Sequence, residues 1–188
     1  MSHDAMGAAM ERYADGDDAA FNELYDLLSP RIYAFLLRQT RSKHRAEDLV
    51  QQTFLQIHRS RSHFKPGADV LPWAFAIARR LTIDSFRRSH GGAEEAELET
   101  VGSWASPLPL PDDLASARQL SARVGEELSR LPENQRVAFE MIRQEGLSVA
   151  EAAQVLGTTI TAVKLRAHRA YLTLRASLGE AFGREESL

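Results

Sequence analysis

The chain has no cysteine among its 188 residues. That excludes disulfides, cysteine-ligated zinc and thiol nucleophiles. Long hydrophobic runs are also missing. No stretch approaches the roughly 18 apolar residues of a membrane span, and the N-terminus lacks the pattern of a signal peptide. A cytoplasmic location without membrane insertion is therefore expected. His3, His44, His58, His63, His90 and His168 are scattered without metal-ligand spacing, and no nucleophile motif accompanies them. No catalytic residue, metal site or cofactor is expected, and the chain does not read as an enzyme. Alternating apolar and polar runs are absent, so no strand is expected. The formal net charge is only −3, so bulk charge does not announce a nucleic-acid partner.

What the chain does have is helical periodicity. Hydrophobic residues make up 44% of it, enough for a buried core, and its length suits one large domain or two small ones. Over 7–40, Phe21, Leu24, Tyr25, Leu28, Ile32, Phe35 and Leu36 recur every three or four positions. Pro30 is expected to break that run or to open its second helix. Ala46, Leu49, Val50, Thr53, Phe54 and Ile57 repeat the pattern over 45–60, with Asp48, Gln51, Gln52 and Gln56 on the other face. Residues 62–69, SHFKPGAD, read as a loop punctuated by Pro66-Gly67. Pro72 then suits the first turn of a helix running to about Arg88.

Acidic charge is concentrated in the middle. Residues 91–117 carry six Asp and Glu and no Lys or Arg. The stretch 90–113 has glycines, prolines and no periodicity, and reads as a flexible acidic linker unable to bury enough surface to order itself. Trp104 and the Pro-Leu repeats hint at a docking segment within it. Two helices over 114–128 and 132–144 follow, with Pro132 suited to the first position of the second. The expected fold class is all-α. An N-terminal helical bundle, 1–89, and a C-terminal four-helix domain, 114–188, are joined by the linker 90–113.

The last two of those four helices lie in LSVAEAAQVLGTTITAVKLRAHRAYLTLR, 147–175. Ser148 and Glu151 have the spacing of a capping box, which starts a helix. Ala152, Ala153 and Leu156 give it a small buried face. Gly157 falls where a helix ends in a left-handed residue, and Thr158 or Thr159 can cap the next one. Ile160, Val163, Ala167, Ala170 and Leu174 then face inward. Thr161, Lys164, Leu165, His168 and Arg169 are left outside or on the flank, and Arg166 and Arg175 add charge. Two helices around a short glycine-containing turn form the unit that places its second helix in the DNA major groove. A helical hairpin with a merely solvated charged face is the plainer reading of the same residues.

A second basic helix shifts the balance. In PWAFAIARRLTIDSFRR, 72–88, Trp73, Ile77 and Leu81 form a stripe, and Arg79, Arg80, Arg87 and Arg88 stand against one acid, Asp84. With His63, Phe64 and Lys65 in the preceding loop, cations could track the phosphates of a single strand while rings or pockets hold its bases. Trp73 and Phe75 also read as core.

These stretches resemble bacterial sigma factors of the small, two-domain, extracytoplasmic-function type within the sigma-70 family. RAEDLVQQTFLQIHR (45–59) is similar to the family's polymerase-binding helix, WAFAIARRLTIDSFRR (73–88) to its −10-reading helix, and 131–175 to its −35-reading domain. The resemblance implies a subunit that directs core RNA polymerase to specific promoters and helps open the −10 region, in response to a stress or signal. It implies that 1–89 is sigma domain 2 and 114–188 sigma domain 4. Asp48, Gln51, Gln52 and Leu55 would meet the clamp helices of the β′ subunit, and the flap of the β subunit is a further implied contact. Thr161, Lys164, Leu165, Arg166, His168 and Arg169 would meet the −35 duplex. His63, Phe64, Lys65, Trp73, Arg79, Arg80, Arg87 and Arg88 would meet the −10 region, where a flipped base is held. The acidic linker would follow a polymerase path built for anionic nucleic acid. Promoter DNA, core polymerase and an anti-sigma factor are the implied partners.

Three positions depart from the usual pattern. Arg80 stands where many members carry Asn, Leu165 where many carry Ser, and Gln52 where Glu is frequent. The first two are expected to make the base preferences this chain's own, and the third to soften the polymerase contact without removing it. The competing reading is an autonomous helix-turn-helix repressor or activator, which would need a dimer interface and a sensor domain. The sequence shows neither a coiled-coil seam nor a ligand-pocket pattern.

Overall fold

The computed structural model describes residues 2–91 and 113–179. They fall into two compact units, one on each side of 92–112. Apart from its ends, the expected acidic linker lies outside the described residues. Among those residues all regular structure is helical.

The first unit holds α1 (Ser2–Ala14), α2 (Ala20–Thr40), α3 (Lys43–Ser60), a 3-10 turn (Arg61–His63) and α4 (Val70–Gly91). The break in the first apolar run comes between α1 and α2, not at Pro30. Gly16 turns the chain at φ 105°, and the Asp17 carboxylate accepts the Ala19 N–H at 3.0 Å. Pro30 lies inside α2, whose Leu24, Leu28, Ile32, Phe35 and Leu36 are all buried. An interior proline costs about 3 kcal/mol. Burying five such side chains is worth about 1.5–3 kcal/mol each, so the continuous stripe prevails.

Arg41 closes α2 in the left-handed region and passes the chain to Ser42, whose hydroxyl caps α3 by accepting the Arg45 N–H. Ala46, Leu49, Val50, Thr53, Phe54 and Ile57 are the buried face of α3, as the periodicity predicts. Aromatic contacts tie the helices together. The Phe35 and Phe75 rings meet edge-on at 5.4 Å, and Phe54 packs on Tyr25 at 4.6 Å and Phe21 at 6.0 Å. Helix α4 starts two residues before Pro72, where Asp69 accepts the Leu71 N–H at 3.2 Å.

The second unit holds α5 (Asp113–Arg130), α6 (Glu133–Arg143), α7 (Val149–Leu156) and α8 (Ile160–Leu178). Pro132 is the N-cap of α6 rather than its first residue, with ψ at 136°. Leu131 is still bonded back to the Leu128 carbonyl at 3.2 Å, so the chain needs one more extended residue to turn. Leu128, Leu131, Phe139, Ala170, Leu174 and Leu178 form a shared core. In α7, Val155 is buried beside Ala152 and Ala153, while Leu156 is only half-buried. The short helix is gripped by α6 and α8 together, which widens its buried arc.

Candidate nucleic-acid interface

The helix-turn-helix is fixed by local bonds that the sequence announces. The Glu151 N–H donates to Ser148 Oγ at 3.2 Å, and the Ser148 N–H donates to Glu151 Oε2 at 2.6 Å, a complete capping box. Gly157 ends α7 at φ 59° and ψ 42°, a conformation open to glycine at little cost. The cap of α8 is Thr159, which accepts the Ala162 N–H at 3.2 Å. Three residues, Gly157 to Thr159, therefore set the angle between the two helices.

Val163, Ala170, Leu174 and Leu178 seat α8 in the core, and this turns its other side outward. Thr161, Lys164, Leu165, His168 and Arg169 are exposed there, continued by Leu172 and Arg175. No acid interrupts α8. One of the expectations for this helix needs correction. Ile160 is exposed, because in the first turn its side chain leans back past the helix end. Arg166 is half-buried on the flank, about 100° round the helix from Leu165. A rigid helix with an acid-free outer face is the right diameter and charge for the major groove.

In the first unit, the loop after α3 is held in place by α1. Lys65 and Ala68 close a turn at 3.0 Å, with Pro66 and left-handed Gly67 between them. The Gly67 N–H donates to Glu11 of α1 at 2.7 Å. Arg61 lies over the Tyr13 ring at 5.1 Å and within 3.7 Å of Asp18. His63 and Lys65 are exposed at the rim of this loop. Phe64 is not: its ring is buried and packs on Trp73 at 5.3 Å.

Trp73, Arg80 and Arg87 follow at seven-residue intervals on α4, so they line one side about 10 Å apart. Trp73 is half-buried and both arginines are exposed; Phe75, on the opposite side, is fully buried. Arg88 is exposed and hydrogen-bonds the Asp84 carbonyl at 3.2 Å. Arg79 is half-buried and has an interaction partner.

On α3, Asp48, Gln51, Gln52 and Leu55 are all exposed. Leu55 is 48% exposed in the middle of this polar face, and Tyr25 of α2 flanks it at 41%. His44 lies 3.6 Å from Asp48. Among the described residues, no group of three or more His, Asp or Glu is placed to hold a metal ion.

Two family models match the chain: Sigma-70 region 2 over residues 24–91, and Sigma-70 region 4 over 121–174. RNA polymerase sigma factor CarQ of Myxococcus xanthus is 36% identical over 171 residues, spanning 91% of this chain and 96% of that protein. ECF RNA polymerase sigma factor SigF of Caulobacter vibrioides is 32% identical over 177 residues, 94% of this chain and 95% of its own. The chain belongs to the extracytoplasmic-function sigma factors of the sigma-70 family. A sigma factor of this kind directs RNA polymerase to promoters. Among solved structures, the sigma factor RpoE of Bartonella quintana, in complex with the anti-sigma factor NepR, is similar at a TM-score of 0.67. It is 25% identical, with 85% of this chain and 97% of that one covered.

In this sigma factor the α3 candidates and most of the α8 candidates each share one exposed face. The loop and α4 candidates are gathered less completely, since Phe64 and Arg79 are turned inward. Three features escape sequence reading. Leu172 extends the apolar centre of the α8 face, Tyr25 flanks the α3 face, and Glu11 and Tyr13 brace the loop. Leu172 is a periodic neighbour of Leu165 and could have been found. The bracing contacts span more than forty residues and leave no local signal. No helix among the described residues is long and apolar enough to cross a membrane.

Proposed function

We propose that this sigma factor reads the −35 element with the outer face of α8 and the −10 element with the 61–69 loop and the outer side of α4, while the exposed face of α3 binds core RNA polymerase. The observation that carries this reading is the α8 face, which presents Lys164, His168 and Arg169 around Leu165 without any acid. Asp48, Gln51, Gln52 and Leu55 meet the β′ clamp helices, and the second unit meets the β flap. His63, Lys65, Trp73, Arg80, Arg87 and Arg88 contact the −10 region directly, with Phe64 as the prop beneath Trp73.

Arg79 and Arg166 contribute charge from the flanks. Opening of the duplex draws on binding energy, not on any chemistry of the chain, which acts as a regulator and not an enzyme. The protein works in the cytoplasm, with the acidic linker lying along the polymerase's nucleic-acid path. An anti-sigma partner holds it inactive until a stress or signal releases it.

A gel shift with and without polymerase tests this reading. The free, net-acidic chain should bind promoter DNA weakly, because polymerase must first position its two reading units. Tight, specific binding by the free chain would instead identify an autonomous repressor or activator.

A further inference from the structure

Thr161, Leu165, His168 and Leu172 run along the centre of the exposed face of α8, at steps of four, three and four residues. Lys164 and Arg175 flank this line on one side and Arg169 on the other. Cations on both flanks suit the phosphates on the two walls of a major groove. The centre line then faces the base edges. Leu165 is 48% exposed there, and it takes no part in the core that seats the helix.

A leucine offers neither donor nor acceptor. The one apolar feature on the floor of the major groove is the thymine 5-methyl group. Cytosine carries only a hydrogen at that carbon, so the apolar contact is lost there. In a recognition helix it is the N-terminal part that reaches base edges, which favours Leu165 over Leu172, two turns further along.

Resting on the assignment of α8 to the −35 duplex, we infer that Leu165 selects one thymine of that element through its 5-methyl group. Thr161, one turn earlier, supplies a second methyl-bearing side chain beside it. Removing only that methyl should weaken promoter use about fourfold, the equivalent of about 0.8 kcal/mol for one buried methyl-sized group.

The test uses holoenzyme and a genomic promoter it transcribes. Each thymine of the −35 element, on both strands, is replaced singly by deoxyuridine, and initiation is measured. One position should show the fourfold loss. Leu165→Ala should be indifferent to deoxyuridine at that position, while Leu172→Ala should respond like the natural protein. A thermal melt of Leu165→Ala superimposable on that of the natural protein shows the fold intact. A flat scan, or a loss of equal size in Leu165→Ala, overturns the inference. If the scan is flat while initiation still depends on the −35 sequence and on Arg169, the α8 assignment survives and only the leucine contact fails. If initiation ignores the −35 sequence altogether, both fail.

Discussion

Replacing Leu55 by alanine should weaken binding to core RNA polymerase and leave the fold intact. The side chain is 48% exposed in the middle of the α3 face. Full burial of a leucine is worth about 1.5–3 kcal/mol. The half still open to water therefore makes about 0.7–1.4 kcal/mol available on docking, or about three- to tenfold in Kd. Its neighbour Phe54 is the internal control. That ring is 4% exposed and packs on Tyr25 and Phe21. Phe54→Ala should cost about 3–5 kcal/mol of stability, a large share of what a small domain has. Competition for core polymerase against a labelled sigma factor reads the first effect, and urea unfolding reads the second. Undiminished binding by Leu55→Ala would remove α3 from the polymerase interface as drawn. A clear loss of stability in Leu55→Ala would show that its exposure was misread.

Arg169→Ala should reduce use of a promoter with a matched −35 element by about 1–3 kcal/mol if the guanidinium reads a base; unchanged run-off transcription would refute that role. Asp48→Arg reverses a charge on an exposed residue and should lower co-purification with polymerase while the circular dichroism spectrum stays the same. Full recovery in the pull-down would strike Asp48 from the contact surface. Ser148→Ala removes the acceptor for the Glu151 N–H and half of the capping box. It should lower the stability of the second unit by about 1 kcal/mol, and a denaturation midpoint equal to the natural one would contradict the capping account.

Much of this fold is legible in the sequence because its signals are local. The six buried residues of α3 follow from spacing alone. The capping box, the left-handed Gly157 and the threonine cap likewise need only neighbours within a few positions. The failures arise where tertiary context decides. Pro30 looks like a breaker, but the buried stripe on both sides of it holds α2 together. Phe64 sits in a polar loop between His63 and Lys65 and reads as a base-stacking ring, yet Trp73, nine residues on, draws it into the interior. Arg79 and Arg80 are adjacent and chemically identical. Only the roll of α4 against its neighbours turns one inward and the other out.

The most direct measurement is run-off transcription by purified core RNA polymerase on a pool of genomic promoter fragments, with and without the protein. Transcripts starting at discrete sites only when the protein is added, and weakened by changes in either the −35 or the −10 element, are expected. A folded protein that leaves the polymerase's start sites unchanged would contradict its assignment as a promoter-directing subunit.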